Sequence, residues 1–192
     1  MFYKIQLVPL IDEDDLPFNY YNLKPCNNDD MERPWEQGVR FRSPPTEKLS
    51  LEIDLDDPDA GAFSDYIYGP IPLVTERLKL VLDSCGISNI DYYLVEVAGA
   101  DKFDSFPKYY ALNVIGKVAA ADPGKSEYSE AFGQMGATLF SKFVLNNDAV
   151  RNLDLFRLAE QSFNIVVSEK IKLACQQAGI DTLRFIPLEE AN

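Results

Sequence analysis

The chain contains no histidine among its 192 residues. That absence excludes Ser-His-Asp and Cys-His nucleophilic catalysis, imidazole general bases and imidazole metal ligands together. Carboxylate and lysine chemistry stay open. Cysteine is scarce and odd in number: Cys26, Cys85 and Cys175. Cys85 and Cys175 fall on apolar helix faces, so buried free thiols are expected rather than a disulfide. No apolar run reaches the ~18 residues that a membrane-crossing helix requires. The opening MFYKIQLVPL has neither a basic leader nor a cleavage site. Residues 2–8 therefore read as a first strand rather than a signal peptide, and the cytoplasm is the expected compartment. A Gly-rich phosphate loop and a G-x-S-x-G turn are also missing. Basic residues are in deficit, 18 Lys and Arg against 31 Asp and Glu, for a net charge of −13. The imbalance is uneven: residues 1–70 hold 15 acidic and six basic residues (net −9), and the remainder holds net −4. A field of this sign repels nucleic acid and anionic membranes and steers a basic partner.

What is present is a folded globule's composition, 46% hydrophobic and 12% aromatic, long enough for one domain over 1–192. Part of it occurs twice. Residues 73–95 align with 166–188 at a constant offset of 93, without a gap. Val74, Glu76, Lys79, Leu80, Gly86 and Ile87 recur as Val167, Glu169, Lys172, Leu173, Gly179 and Ile180. Each copy reads as cap, helix, stop, strand. Thr75 and Ser168 are N-cap residues, and Glu76 and Glu169 complement the helix dipole. Leu78, Val81, Leu82 and Cys85, and likewise Ile171, Ala174, Cys175 and Ala178, follow the i, i+3, i+4, i+7 spacing of one buried helix face. Gly86 and Gly179 suit a left-handed residue that ends the helix, with the following isoleucine folding back onto the last turn. A strand follows. Two copies are too few for a solenoid, so a pseudo-symmetric pair sharing one core is expected.

Residues 1–65 carry seven of the twelve prolines and most of the acidic clusters. They read as a strand-and-loop layer on a core formed by 66–192, with Leu49, Leu51, Ile53 and Leu55 alternating as a half-exposed strand. Residues 109–118 and 137–145 read as strands, and 121–136 as loop with at most a helical turn. Leu153, Phe156 and Leu158 mark a short apolar element. Strands are many and helices few, which predicts an α+β fold with a mixed or antiparallel sheet.

The chemistry-bearing candidates are modest. Asp54, Asp56, Asp57 and Asp59 resemble a calcium loop, but counting from Asp54 the fifth place is Pro58 and the sixth is Asp59 instead of Gly. The run reads as a solvated turn and, functionally, as a contact surface for a cationic partner. Asp101 and Asp104 flank Phe103 in a hairpin loop; paired acids at this spacing are a weak signal for acid–base work. Trp35, the sole tryptophan, sits in irregular sequence as either a plug over the core or an exposed binding anchor. On charge and expected exposure, Asp54, Asp56, Asp57, Asp59, Trp35 and Tyr66 form the candidate partner-binding set.

Several pieces occur in a fixed order: Trp35-x-x-Gly38, Val74-Thr75-Glu76-Arg77-Leu78, Tyr109-Tyr110-Ala111-Leu112-Asn113-Val114, Leu155-Phe156-Arg157-Leu158 and Val166-Val167-Ser168-Glu169-Lys170-Ile171, closing with Gly179 and Phe185-Ile186-Pro187. This order resembles a family of bacterial immunity proteins from polymorphic toxin systems, over roughly residues 30–188. The resemblance implies a non-enzymatic protein, with no cofactor, that binds a cognate antibacterial toxin delivered by a type VI or similar secretion system. It supplies no catalytic residues. A basic toxin would suit the acidic balance. Two other classes remain at this point: an enzyme using carboxylates such as Asp101 and Asp104, and an acidic mimic of nucleic acid that binds basic proteins generally.

Overall fold

The computed structural model describes residues 1–11, 17–27, 29–55, 60–129 and 139–189. Its elements, in chain order, are β1 Phe2–Leu7, β2 Leu10–Ile11, β3 Pro17–Tyr20, β4 Leu23–Pro25, β5 Leu49–Ile53, β6 Ala60–Ala62, β7 Tyr66–Ile67, β8 Leu73–Thr75, α1 Glu76–Ser84, β9 Ile90–Ala98, β10 Tyr109–Val114, β11 Lys117–Val118, β12 Glu127–Ser129, β13 Leu139–Lys142, β14 Leu155–Leu158, β15 Ile165–Ser168, α2 Glu169–Gln177 and β16 Leu183–Pro187. The fold is α+β. Two mixed sheets dominate, in the orders β11-β14-β15-β1-β16 and β4-β5-β9-β10-β8-β7. The β5–β9 and β11–β14 pairs are parallel and the other pairs of these two sheets antiparallel.

Both duplicated units form as the pattern requires. Each helix ends at its glycine, with φ +74° at Gly86 and +69° at Gly179. The isoleucine N–H then reaches back to the helix, Ile87 to the Leu82 carbonyl at 3.2 Å and Ile180 to the Cys175 carbonyl at 3.0 Å. This is the paired closing geometry of a Schellman cap. The caps at the other end differ. Thr75 Oγ1 accepts from the Leu78 N–H at 3.3 Å, whereas Ser168 makes no side-chain cap bond and donates to Asp154 Oδ1 at 2.6 Å. Thr75 Oγ1 also donates to a carboxylate, that of Asp65, so the two hydroxyls differ in the cap bond alone. Leu78, Val81, Leu82 and Cys85 are buried as expected, as are Ile171 and Cys175, but Ala178 is exposed.

The duplication extends beyond the aligned segments. β10 lies between β8 and β9, with Tyr110 opposite Val74 on one side and Leu94 on the other. β1 lies between β15 and β16, with Tyr3 opposite Val167 and Pro187. Val167 and Pro187 are the offset-93 counterparts of Val74 and Leu94, so β1 is the spatial counterpart of β10. Their sequences agree in kind, Phe-Tyr-Lys-Ile-Gln-Leu against Tyr-Tyr-Ala-Leu-Asn-Val. β7 and β14 correspond in the same way, Tyr66 facing Val74 and Leu155 facing Val167. The second unit is thus a circular permutation of the first, completed by the N-terminal strand.

The units meet reciprocally, as the halves of an isologous dimer do. Thr182 of the second unit donates to Asp65 of the first at 2.9 Å. Asn89, the residue equivalent to Thr182, donates to the Leu155 carbonyl of the second unit at 3.0 Å. Helices α1 and α2 share one core with the inner sheet faces, where Leu78, Leu82, Ile171 and Cys175 pack with Tyr3, Val74, Leu112 and Val167. The period-two alternation of strands sends the intervening residues outward. Leu73, Tyr109 and Ala111 join Trp35, Leu49 and Leu51 in a second cluster. Phe156, Leu158 and Val166 join Phe143 and Val150 in a third.

Residues 1–65 supply interior strands to both main sheets, β1 and β5. Leu49, Leu51 and Ile53 are buried while Ser50 and Glu52 are exposed; the strand stops before Leu55. The predicted strand 109–118 is two strands, broken at Ile115-Gly116 where Gly116 adopts φ +102°, and its second piece enters the other sheet. The predicted loop 121–136 contains β12, paired with β13, because Tyr128 and Phe140 bring their rings to 6.3 Å across the hairpin. Of the predicted strand 137–145, the described residues form β13 over Leu139–Lys142.

Candidate functional site

The three described partner-binding candidates, Asp54, Trp35 and Tyr66, are not placed together as exposed groups. Asp54 forms an ion pair with Lys24 at 2.8 Å; Asp56, Asp57 and Asp59 lie outside the described residues. Trp35 is 2% exposed. Its indole N–H donates to the Asp30 carbonyl at 2.7 Å, and its ring meets Phe41 edge-on at 4.8 Å and Tyr93 at 5.8 Å. It is the plug over the second cluster, since an indole satisfied by a local carbonyl can be buried at little polar cost. Tyr66 is 6% exposed, because β7 turns it onto the shared helix core. Of the two readings of Trp35 the plug holds and the exposed anchor does not, and Tyr66 lacks the exposure that a contact residue needs. Asp101 and Asp104 are exposed in the β9–β10 connection, while Phe103 between them packs on Tyr21 and Phe63. Among the described residues no group of three or more Cys, Asp and Glu is placed to hold a metal, and no helix is long and apolar enough to cross a membrane.

Two carboxylates brace the duplicated units at equivalent places. Asp65 accepts from Thr75 Oγ1 at 2.5 Å, from Arg77 Nη2 at 2.5 Å and from Thr182 Oγ1 at 2.9 Å. Burial pushes its pKa up, but the hydrogen bonds from Arg77, Thr75 and Thr182 outweigh this and hold it below the usual carboxylate value. Asp154 accepts from Ser168 and from Lys170 Nζ at 3.2 Å. The Ser168 bond is the main reason its pKa is also lowered. These acids fasten the fold; Asp65 borders a cavity of about 290 Å³ with Arg77 and Lys108, but its oxygens are already engaged.

The feature that sequence reasoning missed lies between the two equivalent turns, β7–β8 and β14–β15. A cavity of about 370 Å³ opens there, lined by Ile5, Leu7, Tyr66, Tyr68, Phe163 and Ile165 among others. Tyr68 and Phe163 are 53% and 38% exposed, and their rings meet edge-on at 6.5 Å. The Tyr68 hydroxyl donates to Glu36 Oε1 at 3.1 Å. Arg157 is not among the residues that line this cavity. It pairs directly across from Ile165, so its side chain leaves the sheet on the same face. It is 0% exposed. Its Nη1 donates to the Ser162 carbonyl at 2.8 Å, while Nε and Nη2 have no partner among the described residues. Burial lowers its pKa, opposed by Tyr66, Glu36 and Tyr68, and a guanidinium stays charged regardless. Arg157 was legible in the sequence only as part of Leu155-Phe156-Arg157-Leu158, a cation amid buried strand residues.

A larger cavity of about 530 Å³ lies beside β12 and β13. Its carboxylate, Glu160, is already engaged by the Ala121 N–H at 2.8 Å and the Ala120 N–H at 3.4 Å.

No curated protein matches the chain. Among families, the chain matches the model described as Immunity protein family (Imm11) over residues 9–190. That span takes in both aligned repeat segments, the plug at Trp35 and the segment carrying Arg157, and begins just after β1. The chain belongs to the Imm11 immunity protein family.

Proposed function

We propose that this protein binds a cognate antibacterial toxin one-to-one and neutralises it by occupancy, without catalysing a reaction. The observation that carries this reading is the family match over nearly the whole chain. The toxin belongs to a polymorphic system, is delivered by a type VI or similar apparatus, and meets the immunity protein in the cytoplasm of the producing cell or its siblings. The acidic N-terminal part, net −9 over residues 1–70, faces a basic region of the toxin. Complementary charge mainly sets on-rate and partner choice.

The test is to look for a toxin-domain gene immediately upstream of this one and to co-express its product with this protein. Survival of the cells and a stable complex on size exclusion support the reading. Killing despite abundant folded protein refutes it. The contact face is tested separately by neutralising Asp54, Asp56, Asp57 and Asp59 together to Asn. Association should slow roughly tenfold at low ionic strength and lose part of its salt slope, with a smaller change in off-rate. Wild-type association with an unchanged salt slope would remove this cluster from the interface.

A further inference from the structure

We propose that the loop over residues 33–43 is a docking hollow for an acidic segment of the toxin, one that carries carboxylates beside an apolar side chain. The inference rests on the toxin-binding reading above. Three observations carry it. First, this loop holds three of the six basic residues found in 1–70, namely Arg33, Arg40 and Arg42, and a single acid, Glu36, for net +2. The other residues of 1–70 hold three basic and 14 acidic side chains, net −11. Glu36 accepts from the Tyr68 hydroxyl at 3.1 Å. A cationic patch within an anionic surround attracts a short acidic group locally while the surround repels polyanions.

Second, a cavity of about 450 Å³ opens within the loop, lined by Arg33, Pro34 and all five residues from Val39 to Ser43. The three arginines and the apolar contacts thus border one space. Arg40 and Arg42 are exposed, and Val39 is 48% exposed. The acids facing these arginines take only two of them. Asp30 accepts from Arg33 Nε at 3.0 Å, and Asp91 accepts from Arg40 Nη1 at 2.7 Å. Arg42 has no ion pair among the described residues, so its guanidinium is left for an acceptor from outside.

Third, the loop is irregular yet firmly held. Trp35 is plugged into the second cluster, and Phe41 stacks on Tyr93 at 5.5 Å. Asn113 Nδ2 donates to the Val39 carbonyl at 2.9 Å, and the Gly116 N–H donates to the Gly38 carbonyl at 2.8 Å. Arg33 Nη1 donates to the Ser43 carbonyl across the mouth of the loop. A loop already fixed in place loses little entropy on binding. Nucleic acid, with about one charge per 1.7 Å of duplex, would run from the hollow onto the acidic surround. A protein segment can place one or two carboxylates here and none beyond.

The first assay is binding kinetics with the product of the upstream toxin gene, using the full chain and Arg40→Gln combined with Arg42→Gln. The variant is more acidic, so long-range attraction to a basic toxin is kept or increased. Loss of a local acidic contact should nonetheless speed dissociation by roughly tenfold or more. Arg42→Gln alone, which breaks no ion pair within the fold, should show part of that effect and keep the wild-type urea midpoint. Wild-type dissociation in both variants would overturn the hollow as a toxin contact. Loss of self-association in the double variant, with toxin binding unchanged, would make a second copy the occupant and equally overturn it. The second assay needs no toxin. The blocked peptide Glu-Leu-Glu should shift the backbone amide resonances of residues 39–43 saturably, with a Kd on the order of 1 mM. Its Gln-Leu-Gln counterpart and sodium chloride should not. Equal shifts with the neutral peptide, or none with the acidic one, would show that the hollow does not take carboxylates. If wild type binds no toxin, the immunity reading falls and this occupant with it, while peptide shifts would still mark the hollow as a carboxylate site.

Discussion

Asp65 and Asp154 are an experiment built into the fold: two carboxylates at equivalent positions of a duplicated unit, in different surroundings. Asp65→Asn removes charge at nearly constant volume. The Asp65 side chain is 5% exposed and its partner Arg77 is 48% exposed. Breaking a buried ion pair from one side costs about 3–5 kcal/mol. The exposed guanidinium can rehydrate, which places the expected loss near the lower end, about 3 kcal/mol. Asp154 is 37% exposed and its partner Lys170 is 55% exposed, so that pair contributes about 0.5 kcal/mol. Asn keeps a side-chain oxygen that can accept from the Ser168 hydroxyl, so that bond loses its charge assistance but is not removed. Asp154→Asn should therefore cost under about 1 kcal/mol. Urea unfolding at neutral pH with a common m-value measures both. Because Asp65 has a depressed pKa in the folded protein, its contribution is present above the unfolded value near pH ~4 and is lost as pH falls through the folded value. The gap between wild type and Asp65→Asn should close in that acid window. Equal losses for the two variants, a larger loss at Asp154, or a gap that persists after acidification would refute the reasoning.

Other outcomes follow from the same geometry. Leu82→Ala and Ile171→Ala each empty part of the shared helix core and should cost roughly 2–5 kcal/mol in urea unfolding; losses below ~1 kcal/mol at both would contradict the packing. Cys85 and Cys175 are buried and free while Cys26 is exposed, and burial pushes the Cys175 thiol up to about 12. Thiol reagents should label Cys26 in the native state and the other two only after unfolding; rapid native labelling of all three would be the contrary result. Arg157→Met should stabilise the protein by about 1–3 kcal/mol, allowing for the lost Ser162 bond, or roughly 3–10 °C in Tm. A destabilisation exceeding ~1 kcal/mol would mean the guanidinium is satisfied as it stands.

The sequence by itself determined the local grammar: which residues start, face and end each helix, and that this unit occurs twice. Thr75, Gly86 and Gly179 act through bonds within a few residues, and the spacing Leu78, Val81, Leu82 depends only on helical period, so all were legible without a fold. The α+β class and the family resemblance rest on the same short-range patterns. Only the tertiary structure decided that β1 completes the second unit, because its partners Val167 and Pro187 lie more than 150 positions away and strand register over such distances is set by which apolar faces meet. It also decided the fate of the two aromatics. A tryptophan in irregular sequence reads equally as plug or anchor until Phe41 and Tyr93 are seen closing around it. Arg157 is the sharpest case: alternation within Leu155–Leu158 says which residues share a face, but not that this one is fully buried with Nε and Nη2 unpaired among the described residues. A buried cation's unpaired donors are a property of everything packed around it, and no local pattern encodes an absence of neighbours.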